Sequence, residues 1–221
     1  MNRRLLSIAA AIAAALFLLG FFAVDRPLAE WVRASGIENA GFFVYGLHAL
    51  DTVGGLSTWI WIAGLAALAI GLAGFAWQRR ARWPRVLIAA GAVQLLTIAT
   101  MILGKDHFGR LRPYQVFEKG DWSATWFAGG VSFPSGHSAF YFGLLLPLAA
   151  ACPQRWQRAL LLAIPLLAIC ARIDMAKHFL SDVSMSALIA AVYALIVATL
   201  LRHWLPAPAR RVHILSGDRS F

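Results

Sequence analysis

Apolar residues in this chain fall into six blocks, at about 5–24, 56–77, 86–104, 137–151, 159–173 and 183–201, with polar stretches between them. None alternates as a half-buried strand does. Blocks approaching about 20 apolar residues predict helices long enough to cross a bilayer. The first block follows Arg3-Arg4 and lacks a small-x-small cleavage site, so an uncleaved helix is expected rather than a signal peptide. Blocks four and five are shorter and carry Pro147 and Pro165, where kinks are expected. Gly64, Gly71 and Gly74 in block two suit close helix packing.

Two connections are long. Residues 25–55 place Leu28, Trp31 and Val32 at helical spacing, followed by Phe42, Phe43 and Tyr45, and predict one or two short interfacial helices. Residues 114–133 carry Tyr114, Phe117, Trp122, Trp126 and Phe127, which fit either an aromatic belt at headgroup level or the lining of a path for a lipid tail. The expected fold is a single all-α integral membrane domain over residues 1–221, with six transmembrane helices and short interfacial helices in the outer loops.

Composition agrees. The 221 residues are 60% hydrophobic and only 14% charged, too little charge for a soluble domain of this size. The net charge of +10 lies in short clusters between apolar blocks rather than in a stripe, so no nucleic-acid partner is expected. Orientation follows from those clusters. Arg3, Arg4, Arg79, Arg80, Arg82, Arg85, Arg155, Arg158, Arg202, Arg210, Arg211 and Arg219 share one side with only Asp218 among the acids. The positive-inside rule makes that side cytoplasmic, with both termini, and puts the 105–136 and 172–182 connections outside. His203 and His213 then fall on the cytoplasmic side, away from the chemistry below. Cys152 and Cys170 bracket block five, roughly 27 Å apart at helical rise, too far for a disulfide. Neither has neighbours at metal-ligand spacing; no metal or cofactor is expected.

The polar residues of interest cluster on the outer side, under a topology derived without them. Block three ends in Lys105-Asp106-His107-Phe108-Gly109-Arg110-Leu111-Arg112-Pro113. Block four opens with Pro134-Ser135-Gly136-His137, which reads as a capped helix N-terminus able to receive an anion, with an imidazole in its first turn. Block five ends at Arg172, and His178 and Asp182 follow at i, i+4, where a helix would bring them together. Lys105, Arg112 and Arg172 could cradle a phosphoryl group. A carboxylate on one ring nitrogen of His178 would leave the other free as a nucleophile; equally, Asp182 could be a cap and His178 a loop residue. Arg110 could reach phosphate, His107 a headgroup, and His48 with Asp51 could line the same site.

Together these spacings resemble the three-part signature of the type 2 phosphatidic acid phosphatase family, which includes vanadate-dependent haloperoxidases and glucose-6-phosphatase. The resemblance covers roughly residues 100–185. One position departs: the family usually has Ser before the third-motif Arg, where Ala171 stands here. The missing hydroxyl would remove one phosphate hydrogen bond, about 1 kcal/mol. The resemblance implies a metal-independent phosphohydrolase acting through a phosphohistidine. In it His178 is the nucleophile, Asp182 its orienting partner and His137 the acid and then base. Lys105, Arg112, Arg172, Ser135 and the Gly136 backbone hold the phosphoryl oxygens.

The expected partners are the bilayer and a membrane lipid phosphate, and the expected location is a bacterial inner membrane with the site facing the periplasm. Undecaprenyl diphosphate, phosphatidylglycerophosphate and phosphatidate lead as substrates. A lipid A 1-phosphatase or a phosphotransferase would use the same site. A small transporter is the rival from another class, but it would place charges near mid-span, whereas these stand at block ends.

Overall fold

The computed structural model describes residues 1–201, 203 and 204. Arg202, Arg210, Arg211, Arg219 and Asp218 of the charge count, and His213, lie outside the described residues. The chain runs α1 (Arg3–Leu19), a π-helical turn (Gly20–Val24), α2 (Asp25–Ala34), α3 (Gly41–Gly54), α4 (Ile62–Trp77), α5 (Arg82–Phe108), α6 (Pro113–Lys119), α7 (Gly136–Ala151), α8 (Arg155–Asp174) and α9 (Leu180–Leu200). The described residues contain no strand.

By length and composition, four helical stretches could cross a membrane: Arg3–Ala34, Arg82–Lys119, Arg155–Asp174 and Leu180–Leu200. The apolar helices α4 and α7 are 16 residues each and shorter than that standard. The 25–55 connection forms α2 and α3, as its spacing predicts, and the 105–136 connection contributes α6. Both α7 and α8 run without a break through Pro147 and Pro165.

Helix α7 is the centre of the bundle, in contact with α1, α5, α8 and α9. Its sequence is apolar on every side, which is what burial on every side requires. Phe140, Leu146, Ala149 and Ala150 are almost wholly enclosed. Close approach to α5 depends on Gly143, where a Cβ would stand 2.9 Å from Gln94 Cα. At that crossing the Gln94 amide donates to Phe140 O at 2.8 Å. Helix α4 lies against α5 through small residues: a Cβ on Gly71 would meet the Ile88 backbone N at 2.8 Å. The outer surface is apolar, with Ile8, Leu72, Leu103, Leu160 and Leu200 exposed, a surface favoured by hydrocarbon rather than water.

The two ends of the bundle differ. At one, Asn2 N–H donates to Ala150 O at 2.6 Å, Arg82 to Ala151 O at 2.5 Å, and Arg85 to Trp204 O at 3.4 Å. These bonds tie the N-terminus, the α4–α5 turn and the ends of α7 and α9 together. The opposite end holds the finish of α5, the start of α7 and the α8–α9 turn. There the 105–136 connection folds back on itself: Leu111 N–H donates to Thr125 O (2.8 Å), Phe127 N–H to Phe108 O (2.8 Å) and Ser132 N–H to Arg110 O (2.9 Å).

Candidate active site

The α8–α9 turn carries His178. The Arg172 carbonyl at the end of α8 accepts from the N–H groups of Lys177 (3.0 Å) and His178 (3.2 Å), which fixes where the imidazole leaves the backbone. Ala176 takes up a left-handed conformation (φ 49), a costly one for a residue with a Cβ, and its carbonyl is anchored by Tyr114 N–H at 3.1 Å. Helix α9 begins only at Leu180, so His178 and Asp182 do not share a helical face as their spacing suggests. They meet because Asp182, in the first turn, reaches back: its Oδ2 accepts from Phe179 N–H at 2.8 Å and lies 3.7 Å from His178 Nδ1. The cap and the pairing, alternatives from sequence, are both present.

Asp182 is fully enclosed, and two further side chains hold its carboxylate. Ser132 Oγ donates to Oδ2 at 2.5 Å and stands 3.4 Å from His178 Nδ1. Arg110 Nη1 donates to Oδ1 at 2.6 Å, and Arg110 Nη2 reaches Asp25 Oδ2 at 2.8 Å. The guanidinium lies between the rings of Trp126 (4.5 Å) and Phe179 (4.2 Å). Asp25 in turn accepts from Ser181 N–H at 2.9 Å and from the Ser181 hydroxyl. Arg110 is thus committed to two carboxylates and lies behind the cleft rather than in it. With Nδ1 turned to Asp182 and Ser132, Nε2 is the nitrogen of His178 free to react. Burial pushes the imidazole well below its ordinary range, to about 3, against the opposing pull of Asp182 and with help from Arg172 and Lys105. The ring is neutral, with a lone pair available.

His137 stands in the first turn of α7, behind Ser135, whose Oγ accepts from Ser138 N–H at 3.5 Å as the helix cap. Ser135 is wholly buried, giving its N–H to Asp182 O (3.1 Å) and accepting Ser186 Oγ at its carbonyl (2.8 Å). The start of α7 is therefore sewn to the start of α9. His137 Nε2 meets Asp51 Oδ2 at 3.0 Å, and Tyr141, one turn on, donates its hydroxyl to Asp51 Oδ1 at 2.7 Å.

Lys105, Arg112, Gly136, His137, Arg172 and His178 line one cleft of about 380 Å³, bordered also by Asp106 and Val131, whose apolar wall is Leu56, Ile60, Met101 and Ile102. Six of the eight residues to which the family resemblance gives roles therefore share one surface; Ser135 and Asp182 stand immediately behind it. Among the described residues no carboxylate lies within ion-pair distance of Lys105, Arg112 or Arg172. Lys105 Nζ donates to Val131 O, and the Nε atoms of Arg112 and Arg172 are buried without a partner. Three cations in one cleft repel one another, and an anion between them would relieve that. A phosphoryl group has the charge and the acceptor geometry to do so.

Other sequence expectations come out differently. Ala171 is fully buried in a cluster with Ile98, Met101, Ala139 and Phe140, and it does not line the cleft. A hydroxyl there would face apolar side chains. His107 meets Phe108 edge to face (4.8 Å between centroids) and His48 is exposed; neither lines the cleft. Trp126 and Phe127 line a separate apolar groove of about 550 Å³ with Phe17, Phe21, Phe108 and Phe133, and this groove shares no lining residue with the cleft. Ser132 and Asp25 were not legible as site residues. Asp25 arrives only because the π-helical turn and Gly20 bring α1 against α9, where a Cβ on Gly20 would be 2.8 Å from Ser181 N.

The fold and the cleft define an all-helical, apolar protein that gathers three cations and two imidazoles on one surface at one end of its bundle. Residues 85–205, more than half of the chain, match the family model of the PAP2 superfamily, and the chain belongs to that superfamily. Membership supports phosphatase-type activity on lipid phosphates. Comparison with curated proteins and with solved structures returned no match.

Proposed function

We propose that this protein is a metal-independent lipid phosphate or diphosphate phosphohydrolase that works through a phosphohistidine. The observation that carries the reading is the convergence of three cations, none within ion-pair distance of a carboxylate among the described residues, on the cleft that also presents His178 and His137. Lys105, Arg112, Arg172 and the Gly136 N–H at the start of α7 hold the phosphoryl oxygens and stabilise the charge that develops on them. Ser135 holds the turn that presents Gly136. His178 Nε2 attacks phosphorus as the bond to the lipid oxygen breaks, and His137 gives that oxygen its proton. Water then attacks phosphorus, passes a proton to His137, and the P–N bond breaks to free inorganic phosphate. Asp182 orients His178 and stabilises the charge on its ring.

The substrate is an amphiphile whose phosphate enters the cleft while its chain follows Leu56, Ile60, Met101 and Ile102 toward the bilayer. Undecaprenyl diphosphate, phosphatidylglycerophosphate and phosphatidate fit that description. The basic clusters of the opposite end support a cytoplasmic placement for it, with α4 and α7 completing six spans and the cleft at the periplasmic face of a bacterial inner membrane. The test is phosphate release from a panel of these lipids by purified protein in detergent with excess chelator. Release that disappears in His178→Ala, together with a base-stable, acid-labile phosphoenzyme in the wild type, is expected. A folded wild type that releases phosphate from none of the panel would sink the reading.

A further inference from the structure

Asp51 is left over by the mechanism above, which gives it no task. It comes from α3, a helix with only Leu47 fully buried and with Phe42, Tyr45 and Val53 exposed. Its carboxylate nevertheless turns inward, with a side chain only 14% exposed, and its two oxygens meet two residues of α7 a turn apart, His137 and Tyr141. Among the described residues no Lys or Arg lies within ion-pair distance of it. A half-buried carboxylate needs a counter-charge; Arg172 acts on it at longer range, and the imidazolium form of His137 is the one at hydrogen-bond distance.

We infer that Asp51 is the positioning residue of His137, forming a second His–carboxylate pair that holds the ring's proton donor toward the leaving group. The inference rests on the phosphohydrolase reading. Nε2 is taken by Asp51, and among the described residues Nδ1 has no hydrogen-bond partner, so Nδ1 is the atom that faces the chemistry. In the first step the proton on Nδ1 moves to the departing lipid oxygen as its bond to phosphorus breaks. In the second, Nδ1 takes a proton from the attacking water as the P–N bond to His178 breaks. The Nε2 proton stays on the ring throughout, donated to Asp51 Oδ2. Asp51 also answers an electrostatic problem: Lys105, Arg112 and Arg172 share the cleft with His137 and disfavour a further positive charge, and its carboxylate offsets them where the imidazolium must form. Tyr141 fixes the other carboxylate oxygen, so Asp51 cannot turn away without losing a hydrogen bond.

The experiment compares wild type, Asp51→Asn and Tyr141→Phe on an alkyl phosphate, whose oxygen must be protonated as it leaves, and on nitrophenyl phosphate, whose phenolate leaves without a proton. For Asp51→Asn the expected result is a fall in kcat of about 100-fold on the alkyl substrate, with KM within about threefold. The first release of nitrophenolate should fall far less, and phosphoenzyme should accumulate because the water step also needs His137. Tyr141→Phe should show the same pattern at smaller size, which keeps the inference testable if Asp51→Asn does not fold. Equal losses on both substrates, or none, would overturn the role of Asp51 and leave the phosphohydrolase reading standing. No release from either substrate by wild type would overturn both.

Discussion

The Ser132 hydroxyl reaches both Asp182 and His178: it donates to Asp182 Oδ2 at 2.5 Å and stands 3.4 Å from His178 Nδ1, while those two atoms are 3.7 Å apart. At that separation Asp182 and His178 are held in register partly by a third residue. Ser132→Ala is expected to lower kcat by roughly ten- to a hundredfold, the worth of one hydrogen bond to a charged group, with little change in KM. Steady-state kinetics on a lipid phosphate checks this. Unchanged kcat would mean the carboxylate needs no such support.

Arg110 carries the next layer. It bridges Asp25 and Asp182, and its five donors in a fixed fork are what allow one side chain to serve both. Arg110→Lys keeps the charge but cannot span both carboxylates, so one is left buried without its cation. We expect a loss of stability of about 3 kcal/mol and a large fall in activity. Thermal unfolding in detergent measures the first. A melting point equal to wild type would show that the enclosed acids find other partners.

Burial of His178 makes stability depend on pH in a direction that can be fixed in advance. In the unfolded chain an imidazole takes up its proton near pH ~6.5. In the folded protein burial keeps His178 neutral down to about 3. The unfolded state therefore binds more protons between those values. The contribution is complete above about pH 6.5 and is lost progressively as the pH falls toward 3. Melting points taken from pH 7 to pH 5 should drop in the wild type and drop less in His178→Asn. Parallel slopes would place the acid sensitivity elsewhere.

Those three predictions draw on different depths of the sequence. The helices were legible because long apolar blocks have few other uses, and cleft residues such as Lys105, Arg112, His137, Arg172 and His178 stood at block ends where chemistry is costly to place by accident. The support behind them was not. Ser132 pairs with a residue fifty positions away, and its identity as a site residue depends on the 105–136 connection folding back on Arg110. Asp25 depends on a π-helical turn that no hydrophobic period announces. Asp51 with His48 was visible as an outer-side pair, yet only the packing of α3 separates the inward carboxylate from the exposed imidazole. Spacing along the chain reports local structure; contacts made by irregular backbone leave no period to find.

Ala171 is where the family pattern and the coordinates disagree. By analogy a serine here would bind phosphate, but Ala171 is fully enclosed in an apolar cluster and does not line the cleft. In Ala171→Ser the hydroxyl is expected to bond back to the helix carbonyl one turn earlier. KM and inhibition by vanadate should stay within about twofold of wild type, the size of a change well under 1 kcal/mol. A tenfold gain in vanadate affinity would show that the hydroxyl reaches the anion after all.

Two apolar surfaces compete as the place for the lipid chain of the proposed substrate. Leu56, Ile60, Met101 and Ile102 border the same space as the cations, whereas the larger groove under Trp126 and Phe127 shares no residue with it. A chain attached to a phosphate held by Arg172 and Lys105 meets the first wall immediately. Ile60→Trp, on that wall, should raise KM for a long-chain lipid phosphate by about tenfold, the loss of roughly two buried methylenes' worth of contact. A short, soluble phosphate ester, which never touches the wall, should keep its KM. Met185→Trp, in the other groove, should leave both substrates as they are. The reverse pattern, with Met185→Trp selective against long chains and Ile60→Trp silent, would move the tail to the far side of Pro134 and require the 131–136 segment to open during turnover.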